Sequence, residues 1–329
     1  MSKLRNTLLA MLCGLWTVQL HAQTEEEDNE TETGLHGVRV HFEVLDLASI
    51  DSVAQTFDAD IYYELSWVDS DLAFRGRESR VMGLDEVWDP QIQIVNQRSA
   101  QKTFPDLVEV FPDGQVVYRQ RLLGRFSQVL NLKKFPFDRQ ILKVVMVPTG
   151  MSNDTILLQA ETTSGVDDQL SIPDWRVQSW RTVSAPILIG QEDAEISSVT
   201  IEIDVDRESG FYMVKVILPL VLIVLMSFTV FWINPIHVAP QVSVSATAML
   251  TLIAFRFSMS AMLPPVSVLT KLDLFVIYST FLVFFALIEA VWTTGLASSG
   301  KMNEAQRIDH LSRRIFPFVF ALASAHAFL

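Results

Sequence analysis

Two periodicities divide the chain near residue 210. Before it, short runs alternate apolar and polar positions: Val38, Val40, Phe42 and Val44 interleave with Arg39, His41 and Glu43. Val199, Ile201, Ile203 and Val205 likewise interleave with Thr200, Glu202, Asp204 and Asp206. A period of two places every apolar side chain of a strand on one face, so these runs read as half-buried antiparallel strands. Pro112-Asp113-Gly114 is a turn signal between two further strands. No helix-length periodicity stands out between residues 95 and 210. The pattern predicts an immunoglobulin-like β-sandwich of about ten strands over residues 36–210.

After residue 210 the alternation gives way to four apolar segments, which predict an all-α transmembrane domain over 211–329. Its helices are expected at about 211–233, 238–263, 272–295 and 308–329. The first three are long enough to cross a hydrocarbon layer of roughly 30 Å. The fourth is marginal, because its uninterrupted apolar part begins only at Ile315.

The second apolar segment has a graded face. Steps of four, three, four and three residues from Ser243 reach Thr247, Leu250, Ala254 and Phe257, all on one side of a helix. A lipid-facing stripe would be uniformly apolar, whereas two hydroxyls at one end call for water or a neighbouring helix. The plainer alternative is that both hydroxyls bond back to their own helix, which is common in membrane spans. Arg256 falls one residue off this stripe and needs a partner or water; Glu289 of the third helix is a candidate partner at an unfavourable depth.

Composition sharpens the division. The chain has 329 residues and a net charge of −13, with most of the charge before residue 210 and most of the long apolar runs after it. Lys3 and Arg5 precede an apolar run, Leu8 to Leu20, and a small residue before Gln23, so residues 1–22 read as a secretory signal peptide. Residues 23–35, rich in Glu and Asp, read as a disordered acidic leader. The only cysteine, Cys13, falls in the signal segment, so the mature chain is expected to carry neither a disulfide nor a cysteine nucleophile. With the β-domain exported, the first helix runs inward. The 295–307 linker and its flank, with Lys301, Arg307, Arg313 and Arg314, then lie on the cytoplasmic side, as the positive-inside rule requires. No hydrolase, phosphate-loop or metalloprotease motif is present, and His36 and His41 fall on opposite faces of a strand. The reading is of a protein that is not an enzyme, with no metal, no cofactor and no nucleic-acid partner.

Several motifs carry a resemblance. Phe135-Pro136-Phe137-Asp138 resembles the signature loop of the pentameric ligand-gated ion channels (the Cys-loop receptor superfamily), and Trp67-Val68-Asp69-Ser70-Asp71-Leu72-Ala73-Phe74 resembles its second-strand motif. Val87-Trp88-Asp89-Pro90, Asp174-Trp175 and Pro219 also match. In animal members two cysteines close the signature loop; Gln128 and Leu142 stand at those positions here, and that substitution, with the short 295–307 linker, is similar to the bacterial branch.

The resemblance implies a homopentamer around a central pore in the bacterial inner membrane, with the β-domain outside. Ser243, Thr247, Leu250, Ala254 and Phe257 would stack as pore-lining rings, with Leu250 and Phe257 as hydrophobic gates. Arg207 would couple the domains by pairing with Asp138, with Asp51 and Pro264 nearby. For the ligand pocket the resemblance points to Tyr62 and Arg121 on one face. The capping loop would supply Glu192, Asp193 and Glu195, but no aromatic cage for an amine. Clustered carboxylates there make proton-sensitive gating an expectation alongside an unknown small agonist. The expected partners are further copies of the chain, membrane lipids and permeant monovalent ions. Cations are favoured by the acidic outer domain, although Ala239-Pro240-Gln241 carries no charged ring and Phe231-Trp232-Ile233-Asn234 is more similar to anion-selective glycine receptors. The competing reading is a non-conducting, membrane-anchored envelope receptor, which would need one span and no hydroxyl-to-leucine stripe.

Overall fold

The structure is a computed structural model describing residues 36–149, 156–167, 169–189, 194–260 and 268–329. The expected signal peptide with Cys13, the acidic leader, Glu192, Asp193 and Pro264 lie outside the described residues.

Twelve strands occur among the described residues. They are β1 His36–Asp51, β2 Thr56–Val68, β3 Arg80–Gly83, β4 Ile92–Ile94, β5 Gln97–Lys102, β6 Leu107–Val110, β7 Gln115–Ser127, β8 Arg139–Pro148, β9 Ile156–Ala160, β10 Gly165–Val166, β11 Trp175–Ile189 and β12 Ala194–Arg207. The surplus over the expected ten comes from pieces such as β4 and β10, three and two residues long, which are too short to display a period of two. One sheet runs β10-β1-β2-β7-β6-β3, with β5 on β7 and β9 on β1; the other runs β11-β12-β8-β4. Alternation does place the core: Val38, Val40, Phe42 and Val44 of β1 and Val199, Ile201, Ile203 and Val205 of β12 are all buried.

Gly114 shows why the β6–β7 turn needs glycine. Its φ is +86°, and a Cβ there would lie 2.5 Å from the carbonyl oxygen of Asp69. The Asp69 N–H in turn donates to the Gly114 carbonyl at 2.9 Å, so the turn is fastened to the end of β2.

Four helices follow: α1 Gly210–Trp232, α2 Val238–Ser260, α3 Lys271–Ser298 and α4 Met302–Phe328. The first three are long and apolar enough to cross a membrane. In α1 a wider π-helical turn, Met213–Ile217, precedes Pro219, whose missing N–H leaves the regular ladder incomplete at that level. Thr270 and Asp273 exchange side-chain and backbone bonds at the start of α3, a capping box.

The expected 295–307 linker is instead almost wholly helical. Gly300, at φ +79°, ends α3: its N–H reaches the Ala297 carbonyl, and the Lys301 N–H reaches that of Leu296 at 2.9 Å. α4 therefore begins at Met302 rather than near residue 308. The sequence pattern missed its first turns because they are polar outside and bury only Ala305, Asp309 and Ser312, spaced four and three apart.

Candidate pore and coupling site

α2 divides into two faces. Gln241, Ser245, Ala248, Leu252 and Met259 are buried against the rest of the chain. Ser243, Thr247, Leu250, Ala254 and Phe257 are exposed, with Leu250 at 67% and Phe257 at 76%. The hydroxyls that bond back to their own helix are Ser245, to Gln241 at 3.0 Å, and Thr251, to Thr247 at 2.8 Å. Among the described residues the Ser243 and Thr247 hydroxyls make no hydrogen bond, so the stripe's two donors remain available to water. Gln241 faces α3 instead: its side-chain oxygen accepts from the Thr294 hydroxyl at 2.6 Å, and its amide lies 3.4 Å from the Thr293 hydroxyl. The exposed stripe itself carries no charge.

Arg256 is exposed and makes no ion pair among the described residues, and Glu289 is not its partner. α2 and α3 run antiparallel, with Arg256 near the β-domain end of α2 and Glu289 in the far half of α3. Glu289 faces Asp309 of α4.

The joint between the domains is built around Asp138. The Arg207 guanidinium reaches one Asp138 oxygen through Nε at 2.7 Å and the other through Nη2 at 3.2 Å, and both side chains are buried. Nη2 also donates to the Ser52 hydroxyl at 3.1 Å. The guanidinium stacks 4.1 Å from the Trp175 ring and 4.9 Å from Phe135. A second donor, Gln140 Nε2, reaches Asp138 at 2.7 Å. Asp51 is not the second carboxylate of this joint: its Oδ1 accepts the N–H groups of Val53 and Ala54 in a local turn, and Ser52 bonds Arg207 instead.

Gln140 does more than orient Asp138. Its side chain accepts from the Asn131 N–H at 3.0 Å and donates to the Asn131 carbonyl at 3.1 Å, clamping the two limbs of the loop. The loop then reaches three helices. The Phe135 carbonyl accepts the Leu272 N–H of α3 at 3.2 Å, the Phe135 ring meets Tyr212 of α1 at 4.7 Å, and the Phe137 ring meets Phe328 of α4 at 5.6 Å.

On the expected ligand face, Tyr62 and Arg121 sit opposite each other in the β2–β7 register. Arg121 makes a forked ion pair with Asp60, with Nη2–Oδ2 at 2.5 Å. Beside it Arg119 bridges Glu64 and Glu109 at 2.7 Å each. Tyr62 packs edgewise on Phe104 and His41. Glu195 is exposed on β12, in the other sheet from Tyr62 and Arg121.

Of the clustered carboxylates expected to have raised pKa values, Glu192 and Asp193 lie outside the described residues; elsewhere in the outer domain the shifts run the other way. Among its described carboxyls, each resolved shift is downward. The Arg125 bond lowers Asp58, Lys102 lowers Asp106, Ser79 and then Arg119 lower Glu109, Lys143 and Arg181 lower Glu202, and Arg139 lowers Asp204.

Sequence reasoning found Asp138, Arg207 and the stripe but missed Gln140, Ser52, Thr293, Thr294 and Asp309. Gln140 lies two residues from Asp138 and Ser52 lies 155 residues from Arg207, and only the folded loops show what they touch. Asp309 did carry a signal: with Ala305 and Ser312 it keeps helical spacing on what becomes the buried face of α4.

Comparison with known proteins agrees with this geometry. The neurotransmitter-gated ion-channel ligand binding domain matches residues 19–209, and the neurotransmitter-gated ion-channel transmembrane region matches residues 216–302. The proton-gated ion channel of Gloeobacter violaceus is 28% identical over 288 residues, covering 85% of this chain and 79% of that protein. The glutamate-gated chloride channel of Drosophila melanogaster is 25% identical over 80% of this chain and 60% of its own length. The gamma-aminobutyric acid receptor subunit rho-2 of Bos taurus is 25% identical over 77% of this chain. The chain thus spans most of the bacterial relative but only 56–60% of these two animal ones. A β-sandwich joined through Asp138 and Arg207 to membrane helices, with both halves matched in order, makes this chain a member of the neurotransmitter-gated ion-channel family, the pentameric ligand-gated channels.

Proposed function

We propose that the chain forms a homopentameric channel of the bacterial inner membrane that conducts small monovalent ions in response to an extracellular signal. The observation that carries this reading is the exposed face of α2. Five residues in one row, running from hydroxyls through Leu250 to Phe257, stand open on a helix whose opposite row is buried. A large exposed apolar side chain in a row with hydroxyls suits a closed ring of copies better than contact with lipid. Rings of Leu250 and Phe257 gate by excluding water, while Ser243 and Thr247 replace part of an ion's hydration at the far end. The Asp138–Arg207 joint transmits the signal, since its loop touches α1, α3 and α4.

Cations are the proposed permeant ions, because the acidic chain concentrates them at the entrance and the stripe offers no basic ring to oppose them. The anion reading is favoured by the chloride-conducting relative and by the Phe231–Asn234 segment. The signal is either protons, as in the relative described as proton-gated, or a small ligand. A ligand site would bring Tyr62 and Arg121 of one copy against the capping loop of the next, with Arg121 exchanging its Asp60 partner.

Flux through reconstituted vesicles under a NaCl gradient, over a pH series without added ligand, tests the reading. Leu250→Ser wets the central ring and should increase basal leak at least about tenfold, equivalent to lowering the barrier by roughly 1.4 kcal/mol. A leak unchanged from the parent removes α2 as the pore. The sign of the diffusion potential assigns the ion, and a flat pH series excludes protons as the signal.

A further inference from the structure

Two carboxyls face each other in the far half of the helical domain. Glu289 of α3 is 7% exposed and Asp309 of α4 is 1% exposed, and they meet across the contact between those helices. None of their four oxygens has a hydrogen-bond partner among the described residues.

The groups that could neutralise them are engaged elsewhere. On α4, Arg313 donates to the Phe231 carbonyl of α1 at 2.9 Å, lies 3.2 Å from His310 Nδ1 and stacks over Trp232. It forms no ion pair with Asp309 among the described residues. His310, bonded to that same guanidinium, is the other titratable group acting on the pair. α3 contributes only Thr293, whose hydroxyl is within bonding distance of the Glu289 carbonyl at 3.1 Å, and α4 adds the Ser312 hydroxyl. α2 contributes the neutral amide of Gln241, one step beyond Thr293.

Two negative charges side by side, away from water and with no cation bonded to either, repel each other and lose their hydration together. Two neutral carboxyls can bond to each other, but only by taking up two protons from solution. One carboxyl donating to one carboxylate removes both faults with a single hydrogen. We propose that Glu289 and Asp309 share one proton and form a proton-binding site between α3 and α4. The site is set apart from the ligand face and the domain joint, and the neighbouring Thr293 hydroxyl also touches α2 through Gln241. Proton occupancy is thereby linked to the far end of α2.

Infrared difference spectroscopy of the reconstituted full chain, recorded on exchange from H2O to D2O, tests the site without requiring conduction. The parent should show the carbonyl band of a protonated carboxyl at neutral pH. Asp309→Asn and Glu289→Gln should each shift or abolish it, and the double variant should lack it. Size-exclusion chromatography confirms that the variants, similar in shape to the parent, remain assembled. A parent without such a band, or a band unchanged in both single variants, overturns the proposal. Failure of the channel reading would leave this measurement intact, so the two can be told apart.

Discussion

The chain buries carboxylates in two places and treats them in opposite ways. At the domain joint Asp138 is met by a two-pronged Arg207, a Gln140 amide and flanking aromatic rings, so its charge is compensated by donors already in position. Between α3 and α4, Glu289 and Asp309 face each other with no fixed donor bonded to their oxygens among the described residues. The comparison teaches that burial alone does not define a charge's role. A carboxylate supplied with fixed donors is a mechanical fastening, while one left without them depends on what solvent can lend it.

The largest effect should come from breaking the fastening. Arg207→Ala strands a buried Asp138 and should cost about 3–5 kcal/mol at the joint, loosening the loop that meets α1, α3 and α4. Currents should be abolished or strongly right-shifted while pentamers still reach the membrane, which electrophysiology combined with surface labelling can check. Normal gating would reduce the joint to a static support.

Gln140→Ala is the intermediate case. It leaves the ion pair in place but strips the Asn131 N–H and carbonyl of their partner and takes one of two donors from an Asp138 oxygen, at about 1–3 kcal/mol. Thermal unfolding should drop by several degrees, and protease cleavage near residues 129–138 should rise. An unchanged loop would show that strand pairing alone closes it.

The smallest effect concerns the exposed pairs of the β-domain. Asp58, Asp106, Glu109, Glu202 and Asp204 titrate below their ordinary values when folded. A depressed folded pKa gives stability that is present above the unfolded value, near 4, and is lost as pH falls through the folded one. The melting temperature should therefore be nearly flat between pH 7 and pH 5 as far as these groups decide it, and should fall below about pH 4. A midpoint near pH 6 would mean that other groups dominate.

Much of this was legible in the sequence because it depends on period. The faces of β1 and β12, the three long spans and the graded row of α2 all follow from alternation or helical spacing, which one chain displays by itself. What stayed hidden depends on distant neighbours. Asp51 and Ser52 are adjacent, and only the fold shows that the hydroxyl, not the carboxylate, meets Arg207. Arg256 and Glu289 look like partners by charge but lie at opposite depths. The start of α4 was obscured because a helix that buries only Ala305, Asp309 and Ser312 in its first half has no apolar run to betray it.

The tight connection at Gly300 has a mechanical consequence. α3 and α4 are tied at one end by three residues and at the other by Lys271 Nζ, which reaches the carbonyls of Phe328 and Leu329 at 2.8 and 3.2 Å. Two rods pinned at both ends travel as a single beam. The cross-links from α2 to that beam are slight: among the described residues, its side-chain hydrogen bonds to other helices all come from Gln241, to Thr293 and Thr294. In the proposed pentameric channel, slip on opening would be easiest along that lightly bonded seam, so the beam could stay at rest while α2 turns beside it.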